Sequence, residues 1–150
     1  MIAYSVSMFV KIDMTNIIML TKLKAKIINK SQQNELLRAL NALPQVWLRI
    51  TGEEETMDIE DSGVFSPANR ERAIVLNTTF TNNVIDFTFN FVVGEKEGEH
   101  AEFNVPMKAI HNQEIIIFSV GDNFIEMNNS NWMHEIVKAI ITQAENNSSL

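Results

Sequence analysis

The chain lacks cysteine altogether, and its 150 residues include only five glycines and three prolines. The absence of cysteine excludes disulfides, thiolate metal sites and cysteine nucleophiles. The few glycines leave little room for a phosphate-binding loop, and neither that motif nor a nucleophile elbow occurs. We therefore expect a protein that is not an enzyme and that uses no cofactor and no metal.

Positive charge is also scarce, because 12 lysines and arginines stand against 19 aspartates and glutamates, which gives a net charge of −7. A protein that binds duplex nucleic acid usually carries a basic surface. The largest basic cluster is small and comprises Lys22, Lys24, Lys26 and Lys30. We expect no nucleic acid partner, and the charge also disfavours binding to single strands.

Long apolar runs are missing as well, since none approaches the ~20 residues that a membrane-spanning helix needs. Lys11 and Asp13 interrupt the apolar start of the chain, and no positive charge precedes position 11 as a secretory signal would require. We expect a cytoplasmic protein without a membrane partner. The length suits a single domain over residues 1–150.

The first part of the chain alternates apolar and polar side chains, as a β-strand does. Residues 1–28 therefore predict an N-terminal β arm or hairpin. Residues 31–43 predict a helix, in which Ser31 caps the first turn and leucines form one apolar stripe. Pro44 should end this helix, and VWLRIT at 46–51 has the composition of a strand.

The middle of the chain predicts consecutive strands without helices between them, which excludes a doubly wound parallel sheet. The predicted strands cover residues 46–51, 54–60, 72–80, 85–93, 100–110 and 114–120. DSGVFSPAN at 61–69 should form a loop, and Asn82–Asn83 a turn. Residues 130–145 predict a closing helix. The expected fold class is mainly β (α+β), with an antiparallel meander forming a small half-open barrel or sandwich within residues 31–120.

Three local patterns could carry chemistry, and each has a plainer structural interpretation. Six of the nine residues of Glu53–Asp61 are acidic, but their spacing does not match a calcium loop. His100, His111 and His134 lack the nearby second histidine of zinc sites, which favours surface histidines. A Ser–His–Asp triad stays open, because its parts meet only in space.

Phenylalanines dominate the cleanest alternation in the chain, where one face carries Ile85, Phe87, Phe89, Phe91 and Val93. Aromatic side chains on a sheet can stack nucleic acid bases. No basic residue shares this face, so core packing is the better interpretation. Trp47 and Trp132 should be core or rim residues with some chance of partner contact.

Pro106 interrupts an otherwise regular strand, EFNVPMKAI at 102–110. Proline donates no hydrogen bond and is kept to the borders of sheets. We expect Pro106 on a border strand, with Phe103, Val105 and Met107 beside a groove that binds a peptide. A proline that only stops edge pairing is an equally good interpretation.

Several short motifs, taken in order, resemble the stringent starvation protein B (SspB) adaptor family. They are ELLRAL at 35–40, GVFSP at 63–67, IVLN at 74–77, IDFTFNF at 85–91 and VPMKAI at 105–110. The resemblance implies a small antiparallel barrel, a helix used for homodimer formation and no catalytic activity. It also implies capture of degradation-tagged peptides, which such adaptors deliver to the ClpX unfoldase of the ClpXP protease.

The motifs also imply where the peptide would bind. By position, the resemblance places an apolar groove at Phe65, Pro67, Val75, Asn77, Phe91, Val105 and Met107. The first hypothesis is therefore a non-enzymatic peptide-binding adaptor module. The alternative is a structural or assembly protein, such as a virion or complex component, whose N-terminal β arm contacts a neighbouring subunit.

Overall fold

The computed structural model describes the backbone of residues 2–51, 58–60, 63–66, 71–94 and 98–147, and the side chains of residues 15–51, 72–94 and 98–147. The chain divides into two compact units, Met1–Gln32 and Gln33–Leu150. The described part of the first unit is helical, and the second unit contains the sheet. The expectation of a single domain over residues 1–150 stays a prediction.

One antiparallel sheet contains all the described strands, and each strand pairs with the next along the chain. The strands are β1 (Asp58–Glu60), β2 (Gly63–Ser66), β3 (Glu71–Thr81), β4 (Val84–Gly94), β5 (His100–Asn112), β6 (Ile115–Val120) and β7 (Asn123–Glu126). Within the described pairing, β7 does not meet β1, so the sheet is open. The predicted α+β class and antiparallel meander are confirmed, whereas the meander forms an open sheet and not the expected half-open barrel.

Two helices cover the apolar face of the open sheet and complete the core. They are α1 (Ile2–Thr51), whose last part belongs to the second unit, and α2 (Trp132–Asn147), which contacts β5, β6 and β7. One face of the sheet is apolar because alternate residues of each strand share it. Its buried side chains are Ala73, Val75, Ile85, Phe87, Phe89, Phe91, Val105, Met107, Ala109, Phe118, Val120 and Ile125.

The helices bury their own apolar stripes on this face, chiefly through Leu36, Leu40, Leu43, Trp47, Ile136 and Ile140. Core packing of Phe87, Phe89 and Phe91 is confirmed, since all three are buried. Because two helices cover the face, the sheet needs no curvature to exclude water from its apolar side chains. The closing helix predicted for residues 130–145 is confirmed as α2.

Two-residue turns connect the longer strands, and the first residue of each turn is left-handed. Asn82, Gln113 and Gly121 have φ values of 51°, 57° and 58°. Asparagine and glycine adopt this conformation at low cost, whereas glutamine does so less readily. The turn predicted at Asn82–Asn83 is confirmed. Asn77, with φ 57°, lies where a bulge shifts the β3–β4 register.

The β arm or hairpin predicted for residues 1–28 is wrong, because the backbone from Ile2 onward belongs to α1. An isolated hairpin is marginally stable in water, and the methionine, leucines, lysines and alanine of residues 19–26 favour a helix. A short period-two pattern does not outweigh these preferences. The alternative function, in which this arm adds a strand to a neighbouring subunit, therefore loses its structural basis.

The helix end predicted at Pro44 and the strand predicted for residues 46–51 are also wrong, since α1 continues to Thr51. Val46 and Trp47 extend the buried stripe begun by the leucines. Their burial against the sheet offsets both the β preference of this segment and the hydrogen bond that Pro44 cannot donate. Tertiary packing thus decides the conformation that local sequence signals predict incorrectly.

Two short strands are not foreseen by the sequence. β2 lies within the predicted loop at 61–69, and β7 follows the last predicted strand. Both are only four residues long, too short for an alternation pattern to stand out. Most of the acidic stretch Glu53–Asp61 lies outside the described residues, including residues 53–57 and Asp61.

Replacement of Gln113 by glycine should stabilise the β5–β6 hairpin. Of the two described turn residues, only Gln113 has a positive φ, which glycine adopts without a Cβ penalty. We expect the free energy of unfolding to rise by about 0.5–1 kcal/mol, as measured by urea denaturation. The matched control Glu114→Gly adds only chain entropy to the unfolded state and should destabilise the protein; stabilisation by both variants would contradict the assignment.

Candidate functional site

Half of β5 has one unpaired edge in the described part of the sheet. β5 pairs with β4 over residues 100–110, from Gly94↔His100 to Val84↔Ile110. Its pairing with β6 begins only at Met107, opposite Val120. The half of β5 at residues 101–106, which we call the free half, therefore has a partner strand on one side only among the described strands. An unpaired strand edge is a template for another strand.

Pro106 is the last residue of this free half. The amide of His111 donates to the carbonyl of Asn83 at 2.8 Å, so odd-numbered residues of β5 direct their backbone groups to β4. Even-numbered residues, including Pro106, therefore face the β6 side. The donor that Pro106 lacks would point to where β6 has already ended at Val120. The prediction of a border strand for Pro106 is wrong, because β5 lies between β4 and β6. Pro106 is nevertheless adjacent to Met107, the residue at which the described pairing with β6 ends.

The same alternation along β5 identifies the backbone amides and carbonyls of the free half that do not point to β4. The amides and carbonyls of Glu102 and Asn104 point away from β4, toward the side on which β6 is missing. The side chain of Phe103, between them, lies on the helix-covered face opposite Phe91. An added strand along this edge could therefore form backbone hydrogen bonds with Glu102 and Asn104 and would lie beside the ring of Phe103.

An apolar pocket of about 310 Å³ lies on the helix-covered face beside this half-strand. It is bounded by the last turns of both helices and by β4 and β5. Its lining residues are Trp47, Thr51, Phe91, Val93, Phe103, Ile141, Ala144 and Glu145. Ile141 and Val93 are partly exposed, so the pocket opens to solvent. A cleft of this size and lining suits an apolar side chain.

Aromatic packing fixes the floor of the pocket. The ring of Phe91 stacks on Phe103 with centroids 5.1 Å apart and tilts against Trp47 at 4.4 Å. Trp47 also contacts Phe89, with centroids 5.5 Å apart. Such ring contacts add stability beyond the burial of apolar area. The pocket therefore has a rigid aromatic floor and a more exposed wall formed by α2.

Of the seven site residues placed by resemblance, Phe91 is the one whose described side chain lines this pocket. Val75, Val105 and Met107 are instead buried in the core. Asn77 is exposed at the β3 bulge. The side chain of Phe65 and all of Pro67 lie outside the described residues.

Phe103, which the sequence placed beside a groove because it neighbours Pro106, also lines the pocket. Trp47 and Ile141 contribute to the pocket without being predicted as site residues. Neither had a usable signal in the sequence, since only the packing of α1 and α2 on the sheet brings them to β5. The peptide-binding role of the seven residues placed by resemblance stays a prediction.

A polar network holds the free half of β5 from the opposite face of the sheet. Asn90 on β4 is fully buried and its Nδ2 donates to Glu102 Oε1 at 2.6 Å and to Asn104 Oδ1 at 2.9 Å. Arg72 on β3 donates to Asn90 Oδ1 at 3.2 Å and to Glu102 Oε1 at 3.0 Å. These bonds tie three strands together where β6 no longer supports β5.

The network lowers the pKa of Glu102 below its ordinary value of 4.5. The main cause is the hydrogen bond from Asn90 to the carboxylate, and the positive charge of Arg72 acts in the same direction. Partial desolvation opposes both effects. The ionised form of Glu102 is thus favoured in the folded protein.

His111 departs from the surface position expected of the histidines. Its side chain is only 5% exposed, and Nε2 lies 2.7 Å from Glu35 Oε2 on α1. Nδ1 is buried and has no hydrogen-bond partner among the described residues. This part-buried polar pair connects α1 to β5. His134 is exposed, as expected, and His100 is partly buried.

A second cleft, of about 360 Å³, lies between β7 and α2 and is lined by Asn123, Phe124, Ile125, Glu135, Lys138, Ala139 and Thr142. Within the described residues, no group of three histidine, aspartate or glutamate side chains could hold a metal ion. None of the described helices is long and apolar enough to cross a membrane.

Comparisons with models of known protein families, with curated proteins and with solved structures found no match to this chain. The resemblance to stringent starvation protein B consequently stays a prediction based on its short motifs. The geometry of the free half of β5 and its pocket is the evidence on which a function can be proposed.

Acid should destabilise the wild-type protein through Glu102. Because its pKa is lowered by folding, the stabilisation is present above the ordinary pKa near 4.5 and is lost as the pH falls through the folded-state value. In Glu102→Gln this part of the pH dependence should disappear, as measured by urea unfolding across the acid range. Asn90→Ala removes the main cause of the pKa shift of Glu102 and should therefore also weaken this pH dependence. Identical acid profiles in all three proteins would contradict this assignment.

Proposed function

We propose that this chain is a non-enzymatic peptide-binding module that captures an extended segment along the free half of β5. The observation that carries the proposal concerns Phe103, which belongs both to the unpaired half-strand and to the apolar pocket. A segment that pairs with this edge is therefore brought directly to a pocket for its side chains. Strand addition with a side-chain pocket is a common mode of peptide recognition.

Backbone pairing would supply affinity without regard to the sequence of the ligand. The segment would exchange hydrogen bonds with the amides and carbonyls of Glu102 and Asn104 and would continue the line of β6. Pro106 limits this pairing at one end, since it offers no donor there. The length of the free half allows only a short segment to bind.

The pocket would supply selectivity for apolar side chains. Every second residue of an added strand faces the helices, and the lining is aromatic and aliphatic apart from Thr51 and Glu145. Burial of one Leu- or Phe-sized side chain contributes about 1.5–3 kcal/mol. The proposed ligand is thus a short extended peptide with an apolar residue at the pocket.

The resemblance to stringent starvation protein B suggests a source for such peptides. Degradation-tagged substrates are the proposed ligands, and delivery to a ClpX-type unfoldase is the proposed role. A homodimer also stays a prediction. Its contact would not use the leucine stripe of residues 31–43, because Leu36, Leu40 and Leu43 are buried against the chain's own sheet.

Labelled peptides that end in apolar residues should bind the full chain, with a saturable rise in fluorescence anisotropy. Asn104→Pro removes a free backbone donor and should weaken binding about tenfold, since one hydrogen bond is worth about 1 kcal/mol and proline also hinders close pairing. The matched control Asn104→Ala keeps the amide and loses the same side-chain bond to Asn90. Equal affinities for the two variants would argue against strand addition.

The pocket is tested separately by placing charge in its wall. Ile141→Lys should weaken binding of the same peptides at least tenfold, because a peptide side chain would then bury a charge. Phe124→Lys, which changes an exposed apolar residue outside this pocket, should leave binding unchanged. If neither wild type nor variants bind at high micromolar protein concentrations, the proposal fails.

A further inference from the structure

The first unit exposes a run of large apolar side chains that the fold does not use. Seven of them are between 50% and 67% exposed, namely Ile17, Ile18, Met19, Leu20, Leu23, Ile27 and Ile28. In the rest of the described chain, only Phe80, Val93, Phe124 and Ile141 are large, apolar and exposed. A concentration of this kind marks an interaction surface.

Charge distinguishes this segment from the rest of the chain. Residues 14–34 contain Lys22, Lys24, Lys26 and Lys30 but no acidic residue, although the whole chain carries a net charge of −7. The segment thus holds a third of the 12 basic residues and none of the 19 acidic ones. Its partner should accept apolar side chains and supply negative charge.

Helical spacing sets an apolar row beside a basic row. Leu20, Leu23 and Ile27 follow one another at intervals of three and four residues, which stacks them on one side of α1. Lys22, Lys26 and Lys30 recur every fourth residue and form a row beside them. The separation is partial, since Lys24 falls on the apolar side and Met19 falls among the lysines. Long lysine side chains can extend from such a position to headgroups while their stems stay in apolar contact.

We propose that residues 17–30 of α1, the basic apolar segment, bind the surface of an anionic lipid bilayer. The apolar row would enter the boundary between headgroups and acyl chains, and the lysines would contact the negative headgroups. A helix that lies along the membrane surface needs no long apolar run. The lack of such a run argues against a membrane-spanning helix but does not exclude surface binding. The sequence-based expectation of no membrane partner is revised by this proposal.

Other partners match the segment less well. A second copy of the same helix would bring its lysines against like charges, with no acidic residue between positions 14 and 34 to pair with them. A nucleic acid would neutralise the lysines but leave the apolar row in water. An anionic bilayer satisfies both requirements at once, which is why we commit to it.

Vesicle flotation with the full chain tests the proposal. Wild-type protein should bind vesicles of equal parts phosphatidylcholine and phosphatidylserine at least tenfold better than vesicles of phosphatidylcholine alone, and added salt should reduce the difference. The triple variant Lys22→Gln, Lys26→Gln, Lys30→Gln should lose this preference. The variant Leu20→Ser, Leu23→Ser, Ile27→Ser should lose binding to both kinds of vesicle.

The matched control removes the same amount of charge elsewhere, in Arg38→Gln, Lys108→Gln, Lys138→Gln, and should float as wild type does. The proposal is overturned if wild-type protein floats equally well with neutral and anionic vesicles. It is also overturned if wild-type protein floats with neither kind of vesicle. Analytical ultracentrifugation of wild type and all variants without lipid measures their oligomeric state. A wild-type oligomer that the serine variant abolishes, without lipid binding, overturns the proposal in favour of self-association.

Discussion

The contact of Trp47 with Phe89 and Phe91 joins the last turns of α1 to the central strand of the sheet, and the rest of the second unit depends on this covering of one apolar face. An open sheet with a single apolar face is stable only when another layer excludes water from it. Here α1 and α2 form that layer together, which leaves the sheet free to stay open and to keep unpaired edges.

The covering helices also explain why the candidate site lies where it does. Their last turns border a pocket beside β4 and β5, and Phe91 and Phe103 form its floor. On the opposite face, Asn90 and its partners tie the free half of β5 to its neighbours. A strand edge held rigid from one side and open on the other is preorganised for pairing, which lowers the entropy cost of binding.

The two units differ in how their apolar side chains are used. In the second unit the stripe that includes Leu36, Leu40 and Leu43 is fully buried, whereas in the first unit Leu20 and Ile27 stay exposed. Both stripes belong to α1, so helix formation alone does not decide burial. The stripe of the second unit packs on the sheet, whereas the exposed stripe of the first unit lies beside a cluster of lysines. We relate this exposed stripe and its lysines to a lipid surface.

The long strands, the antiparallel meander and α2 were predictable from the sequence, because alternation over many residues and a long helical stripe are strong local signals. Pro106 was less informative, since it predicted a border strand whereas β5 lies inside the sheet. Three features required the folded chain: residues 44–51 continue a helix, the described sheet stays open, and Trp47 and Ile141 line one pocket with Phe103. These outcomes arise from contacts between residues far apart in the chain, where burial of apolar area outweighs local propensity.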